Sequence, residues 1–256
     1  MTENRPLIFI TNDDGYQAKG INELIDALKD FAELIVVAPD GPRSGMSSAI
    51  TSLHPIRVRQ VKDTELLKIY SCTGTPVDCV KLGLSQILKD RQPDMVVTGI
   101  NHGSNASICV HYSGTMGAAI EGCIFKIPSV GFSLLDHHSD ADFDPAKPFI
   151  LDICKQVYET KLPAGVCLNV NIPMGNDLKG IRVCQQAMGQ WVEEFREGID
   201  GYDQKIYWLT GRFRNDEPDN TKTDEYALAQ GYISVVPINV DATAYCTLDG
   251  LKSLEK

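Results

Sequence analysis

No Cys-x-x-Cys pair occurs in this sequence, although it holds eight cysteines. Without such a pair, and with no cysteine and histidine at zinc-ligand spacing, a zinc module is excluded. Most of the cysteines sit in apolar runs, as Cys79, Cys123 and Cys167 do, which reads as buried, reduced thiols. The Gly-x-Gly-x-x-Gly fingerprint is missing after the first strand, and with it the main ground for expecting an oxidoreductase. No apolar run approaches the length of a membrane helix, so no membrane association is expected. The N-terminus has no basic region leading into an apolar stretch, so a cytoplasmic protein without a signal peptide is expected. Positive charge is scarce: 24 Lys and Arg stand against 34 Asp and Glu, a net charge of −10. Such a surface argues against a sequence-independent grip on nucleic acid. A small anionic substrate stays possible, because a cation or helix N-termini make a site locally positive.

What is present fits one soluble globular domain of 256 residues, 43% hydrophobic and 23% charged. Residues 6–11 read as a buried strand. Ile21, Leu24, Ile25 and Leu28 then recur at helical spacing, and residues 33–38 form a second buried strand. This βαβ opening predicts an α/β fold with a Rossmann-like, mostly parallel sheet and helices on both faces. Residues 50–73 alternate like a β-hairpin. Thr75 and Pro76 start a helix, a strand follows at 95–98, and Ser113 caps the next helix. Further strands are expected at 128–134, 166–172, 181–185, 205–209 and 231–237, with helices at about 148–160, 223–230 and 243–254. The core is placed at about residues 1–175. Residues 176–256 read as an extension with few core signals of its own, which suits packing on a neighbouring subunit.

Polar residues gather where the predicted strands end, the place where open α/β sheets bind ligands. The first strand runs into Asn12-Asp13-Asp14-Gly15, the second into a loop carrying Ser44 and Gly45, and the third into Asn101 and His102. Ser113, Gly114 and Thr115 open a helix whose free N–H groups suit an anion. Each signal has a plain alternative: Asn and Asp cap turns, and Ser-Gly loops are ordinary surface. Together they form an all-oxygen set. Asp13, Asp14, Ser44 and Asn101 are hard ligands that suit Mg²⁺ or Mn²⁺. The acidic and His-containing stretch at 136–148 has the irregular spacing of a solvated loop.

The chain resembles the SurE (survival protein) family of metal-dependent nucleotidases. The resemblance rests on Thr11-Asn12-Asp13-Asp14-Gly15, on Ser44-Gly45-Met46-Ser47, on Gly74-Thr75-Pro76-Val77-Asp78-Cys79-Val80, on Gly99-Ile100-Asn101-His102-Gly103-Ser104-Asn105 and on Tyr112-Ser113-Gly114-Thr115. Asn169-Val170-Asn171-Ile172-Pro173, Thr223-Asp224 and Gly231-Tyr232-Ile233-Ser234 extend it to nearly the whole chain. It implies a phosphatase that hydrolyses nucleoside monophosphates, a 5′-nucleotidase, with 3′ phosphates and polyphosphate as alternative substrates. It implies one divalent metal ion per subunit, Mg²⁺ or Mn²⁺, on Asp13, Asp14, Ser44 and Asn101. Asp13 and Asp14 would be catalytic, and Asn12, Gly45, Ser113, Gly114 and Thr115 would bind phosphate and substrate. It also implies a homodimer or homotetramer with an exchanged C-terminal segment. The sequence departs from the family pattern at Ala106–His111, where many members carry an acidic residue, and at Ala49, where many carry serine. A nucleotide-binding regulator without turnover is the competing reading.

Overall fold

Strand β1 (Leu7–Thr11) is buried along its whole length, as a continuous apolar run in a parallel sheet must be. The computed structural model describes residues 5–255. After β1 come helix α1 (Lys19–Leu28) and strand β2 (Glu33–Pro39). The predicted stripe of Ile21, Leu24, Ile25 and Leu28 is the buried face of α1. Strands β3 (Val58–Asp63) and β4 (Leu67–Cys72) pair antiparallel, as the alternation at 50–73 predicts. Helix α2 (Pro76–Leu82) opens on a capping box, in which Thr75 accepts from Asp78 N–H and Asp78 accepts from Thr75 N–H. It continues into a wider π-helical turn at Gly83–Ile87. Strand β5 (Met95–His102), helix α3 (Gly114–Ile124), strand β6 (Ser129–Leu134), helix α4 (Lys147–Thr160) and strand β7 (Val166–Ile172) complete the regular alternation.

Beyond β7 lie strands β8 (Ile181–Val183), β9 (Gly189–Val192), β10 (Phe195–Ile199), β11 (Lys205–Leu209) and β12 (Arg212–Asn215). Helix α5 (Asp224–Ala229) and strand β13 (Ile233–Asn239) follow. Nine strands form one sheet in the order β3–β4–β2–β1–β5–β6–β7–β13–β8. From β4 to β7 every neighbouring pair is parallel, and β13 joins β7 antiparallel. Helices α1 and α4 cover one face, α2 and α3 the other. The order reverses at β1, which pairs with β2 on one side and β5 on the other. That reversal is the switch point of the sheet.

The segment after residue 175 divides. Its β13 belongs to the central sheet and puts Ile233 and Val235 into the main core. Strands β9 to β12 instead form a two-part antiparallel arm, β9 with β12 and β10 with β11. The expected terminal helix at 243–254 is replaced by two 3-10 turns, Tyr245–Thr247 and Asp249–Leu254. Tyr245, Leu248, Leu251 and Leu254 recur every three residues, the spacing that eclipses side chains in a 3-10 turn rather than building an α-helical stripe. The expected strand at 181–185 ends at Val183. No helix among the described residues is long and apolar enough to cross a membrane.

Candidate active site

The turn after β1 is closed on itself. Asn12 is fully buried; its amide donates to Gly15 C=O at 3.0 Å, and its carbonyl oxygen accepts from Gly15 N–H at 3.2 Å. Gly15 has φ +103°, which a side chain would strain, and its Cα faces the loop glycine Gly41. Asp13 and Asp14 are thereby held at the switch point between β1 and β5.

Asp13 is buried, and its surroundings come from the start of α3 and from the loop after β2. Thr115, at the start of α3, donates its hydroxyl to Asp13 Oδ1 at 2.6 Å. Gly114 approaches so closely that a Cβ there would lie 2.9 Å from the Asp13 Cβ, so only glycine lets the helix start here. Arg43 N–H donates to the Asp13 carbonyl at 2.7 Å, which ties the loop carrying Ser44 and Gly45 to the same turn. The far end of that loop is tied down as well: Ser47 donates its N–H to Tyr112 C=O and its hydroxyl to His111 C=O.

Helix α3 begins as the sequence predicts. The Ser113 hydroxyl accepts from Met116 N–H at 3.0 Å, leaving Gly114 and Thr115 N–H at the helix start without an intrahelical acceptor. Asn101, near the end of β5, donates its side-chain amide to Gly103 C=O at 2.9 Å.

Burial strains the carboxylate pair. Asp13 is pushed up to about 6, chiefly because burial disfavours its charge and also because Asp14 lies beside it; the Thr115 hydroxyl works the other way. Burial also raises Asp14, while His102 beside it draws it back down. Asp14 Oδ2 and His102 Nδ1 are buried without any hydrogen-bond partner. Such orphaned atoms are rare in folded proteins, and two of them together at a strand end call for a ligand or a cation. Two carboxylates and neutral oxygens suit a hard divalent ion. No cluster of three or more His, Cys, Asp or Glu occurs among the described residues, so further ligands would have to be neutral oxygens.

Of the nine residues that the sequence singles out, five line a single cavity of about 530 Å³: Asp13, Ser44, Gly45, Asn101 and Ser113. Asn12, Asp14, Gly114 and Thr115 are not part of its wall; Asn12 and Thr115 act on Asp13 and its turn from behind. The sequence gives no sign of the opposite wall. There His137, Cys109, Trp191, Glu194 and Thr210 face the same space. A second group enters the sequence reading only as motif residues, with no role attached. Asn105 takes part in a buried chain with Ser133, Asn169 and Asn171, and Asp224 anchors the loop before α3. The repeated Asn-x-Asn of β7 is the one sequence signal that could have pointed to the first of these.

The sheet and this cavity define the class: a Rossmann-like α/β protein with a polar, oxygen-rich cavity at its switch point. The model described as survival protein SurE matches residues 8–193. The chain belongs to that family. It is 51% identical over 253 residues to the 5′-nucleotidase SurE of Phocaeicola vulgatus, covering 99% of this chain and 98% of that one. It is also 51% identical to the 5′-nucleotidase SurE of Bacteroides fragilis, over the full length of both. The crystal structure of the SurE protein from Aquifex aeolicus superposes with a TM-score of 0.85 at 36% identity, covering 98% of this chain and 100% of that one.

Proposed function

We propose that this chain is a divalent-cation-dependent phosphatase that hydrolyses nucleoside monophosphates to nucleoside and phosphate, as the names of its relatives state for them. The buried, unpartnered Asp14 Oδ2 beside the buried Asp13 carboxylate carries this reading, because a bound cation would offset the cost of burying two adjacent carboxylates. Asp13, Asp14, Ser44 and Asn101 would hold one Mg²⁺ or Mn²⁺ per subunit. Bound there, the ion would offset charge on the phosphoryl oxygens and acidify a water.

The chain itself contributes positioning. The Thr115 hydroxyl fixes the Asp13 carboxylate, and one of the two aspartates orients the attacking water in line with the ester bond. Its oxygen bonds to phosphorus as the phosphorus–ester oxygen bond breaks. N–H groups of Gly45, Gly114 and Thr115 would donate to the equatorial oxygens, with Gly45 and Ser113 on the cavity wall and Gly114 and Thr115 just behind it at the helix start. His102, on the cavity wall, would give the leaving alcohol its proton. With its free thiols the protein suits a reducing compartment such as the cytoplasm.

The test is phosphate release from nucleoside monophosphates with Mn²⁺, with Mg²⁺ and with EDTA. Release is expected only with metal. Mn²⁺ is also expected to raise the melting temperature more at pH 7.5 than at pH 5, because Asp13 must shed a proton held up to about pH 6 before it can bind a cation. Binding of AMP without any release would instead favour the regulator.

A homo-oligomer belongs to the same proposal. Val183, Phe195, Ile199, Trp208, Leu251 and Leu254 are each more than half exposed, on the sheet-edge strand β8, the arm and the C-terminal turns. Patches of this kind on a soluble chain mark an interface. Light scattering is expected to give twice or four times the chain mass; the mass of one chain would overturn it.

A further inference from the structure

The cation and a phosphate account for one end of the cavity, at Asp13, Ser44 and Ser113. At about 530 Å³ it is far larger than those groups need and lies within the range that takes a whole small ligand. Its other wall comes from the arm, which carries Trp191, Glu194 and Thr210 to the same space. Trp191 is half-buried. The ring of Phe213, its cross-strand partner, stands nearly edge-on to it with centroids 6.3 Å apart. An indole half-buried against a neighbouring ring is held in place before any ligand arrives. On the cavity wall, the largest surface it can offer a ligand is its π-face.

We propose that Trp191 is the surface on which the nucleoside base stacks, so that the cavity selects phosphate esters that carry a base. This rests on the nucleotidase reading of the same cavity. Every base has a π-face, so stacking of this kind tolerates base identity. The cavity therefore discriminates base-bearing from base-free phosphates, and only weakly among bases. Trp191 acts through KM, since it holds the base and not the phosphate.

The test compares AMP, UMP and ribose 5-phosphate, each with Mn²⁺, in the full chain and in Trp191→Ala and Trp191→Phe. The alanine variant is expected to raise KM for AMP and UMP about tenfold or more. Its kcat, and its turnover of ribose 5-phosphate, are expected to stay the same, and the phenylalanine variant should recover most of the loss. Equal losses on all three substrates, or an unchanged KM for AMP, would overturn the assignment. A second measurement does not need turnover. In Trp208→Phe, which removes the other tryptophan, AMP is expected to quench the fluorescence of Trp191 and ribose 5-phosphate to leave it unchanged. Absence of quenching by AMP would overturn the stacking even in a protein that hydrolyses nucleotides. Quenching in a protein that releases no phosphate would keep the stacking and end the nucleotidase reading instead.

Discussion

Replacing Asp14 by Asn is expected to lower metal-dependent phosphate release about a thousandfold or more while leaving the metal-free protein as stable as before, or more so. The two effects have separate causes. Asp14 is half-buried and raised by desolvation, and its Oδ2 has no donor. In the metal-free fold its charge is a cost, and an isosteric neutral amide removes that cost. The same substitution takes away one of the two negative ligands proposed for the cation, and with it charge stabilisation of the size that a transition-state contact supplies. Stabilising a fold by disarming its site is a recognised trade. Activity assays and thermal melts of metal-free protein measure the two sides. A variant that lost activity together with ten or more degrees of melting temperature would place Asp14 in the structure rather than in the chemistry. A variant that kept its activity would remove it from the site.

The central sheet is legible in the sequence because its strands are buried on both faces. Leu7–Thr11 and Glu33–Pro39 are continuous apolar runs, and the polar residues that follow them must lie at the sheet's carboxyl edge. That is why Asp13, Ser44, Asn101 and Ser113 can be placed near one another without coordinates. Trp191 and Thr210 cannot be placed that way. Trp191 lies in the four-residue β9 and Thr210 in the turn after β11; no strand of the arm is fully buried, so nothing enforces alternation in β9 to β12, and β9, β10 and β12 leave no clear mark. Asp224 is hidden for a different reason. At the start of a short helix an aspartate is an ordinary favourable first-turn residue. Only the fold reveals that its carboxylate faces two distant backbone segments.

Asp224→Ala is expected to be the most destabilising single change on the candidate-site side of the molecule, by about 3–5 kcal/mol. Asp224 is fully buried. Its Oδ2 accepts from Ser107 N–H at 2.8 Å, and its Oδ1 accepts from Ala187 N–H at 2.9 Å and Glu225 N–H at 2.8 Å. Ser107 has φ +53°, so the backbone at the first of these contacts is held in the left-handed region against its own preference. Its hydroxyl donates to Ala187 C=O, closing the link between the loop before α3 and the base of the arm. Burial and the charge of Asp224 push Glu225 up to about 7. Alanine at 224 would strand these backbone donors and release Ser107 from its strained conformation. For a chain of this size the loss corresponds to roughly ten degrees of melting temperature. A thermal melt within two degrees of the parent would show that water replaces the carboxylate. Asp224→Asn separates shape from charge, because it keeps the volume but turns one acceptor into a donor that faces an N–H. It is expected to fall between the two in stability. It should also raise KM for nucleotides, because the segments that Asp224 joins carry Ser113 on one side and Trp191 on the other. The carboxylate thus sets the distance between the two walls of the cavity without touching what lies inside it.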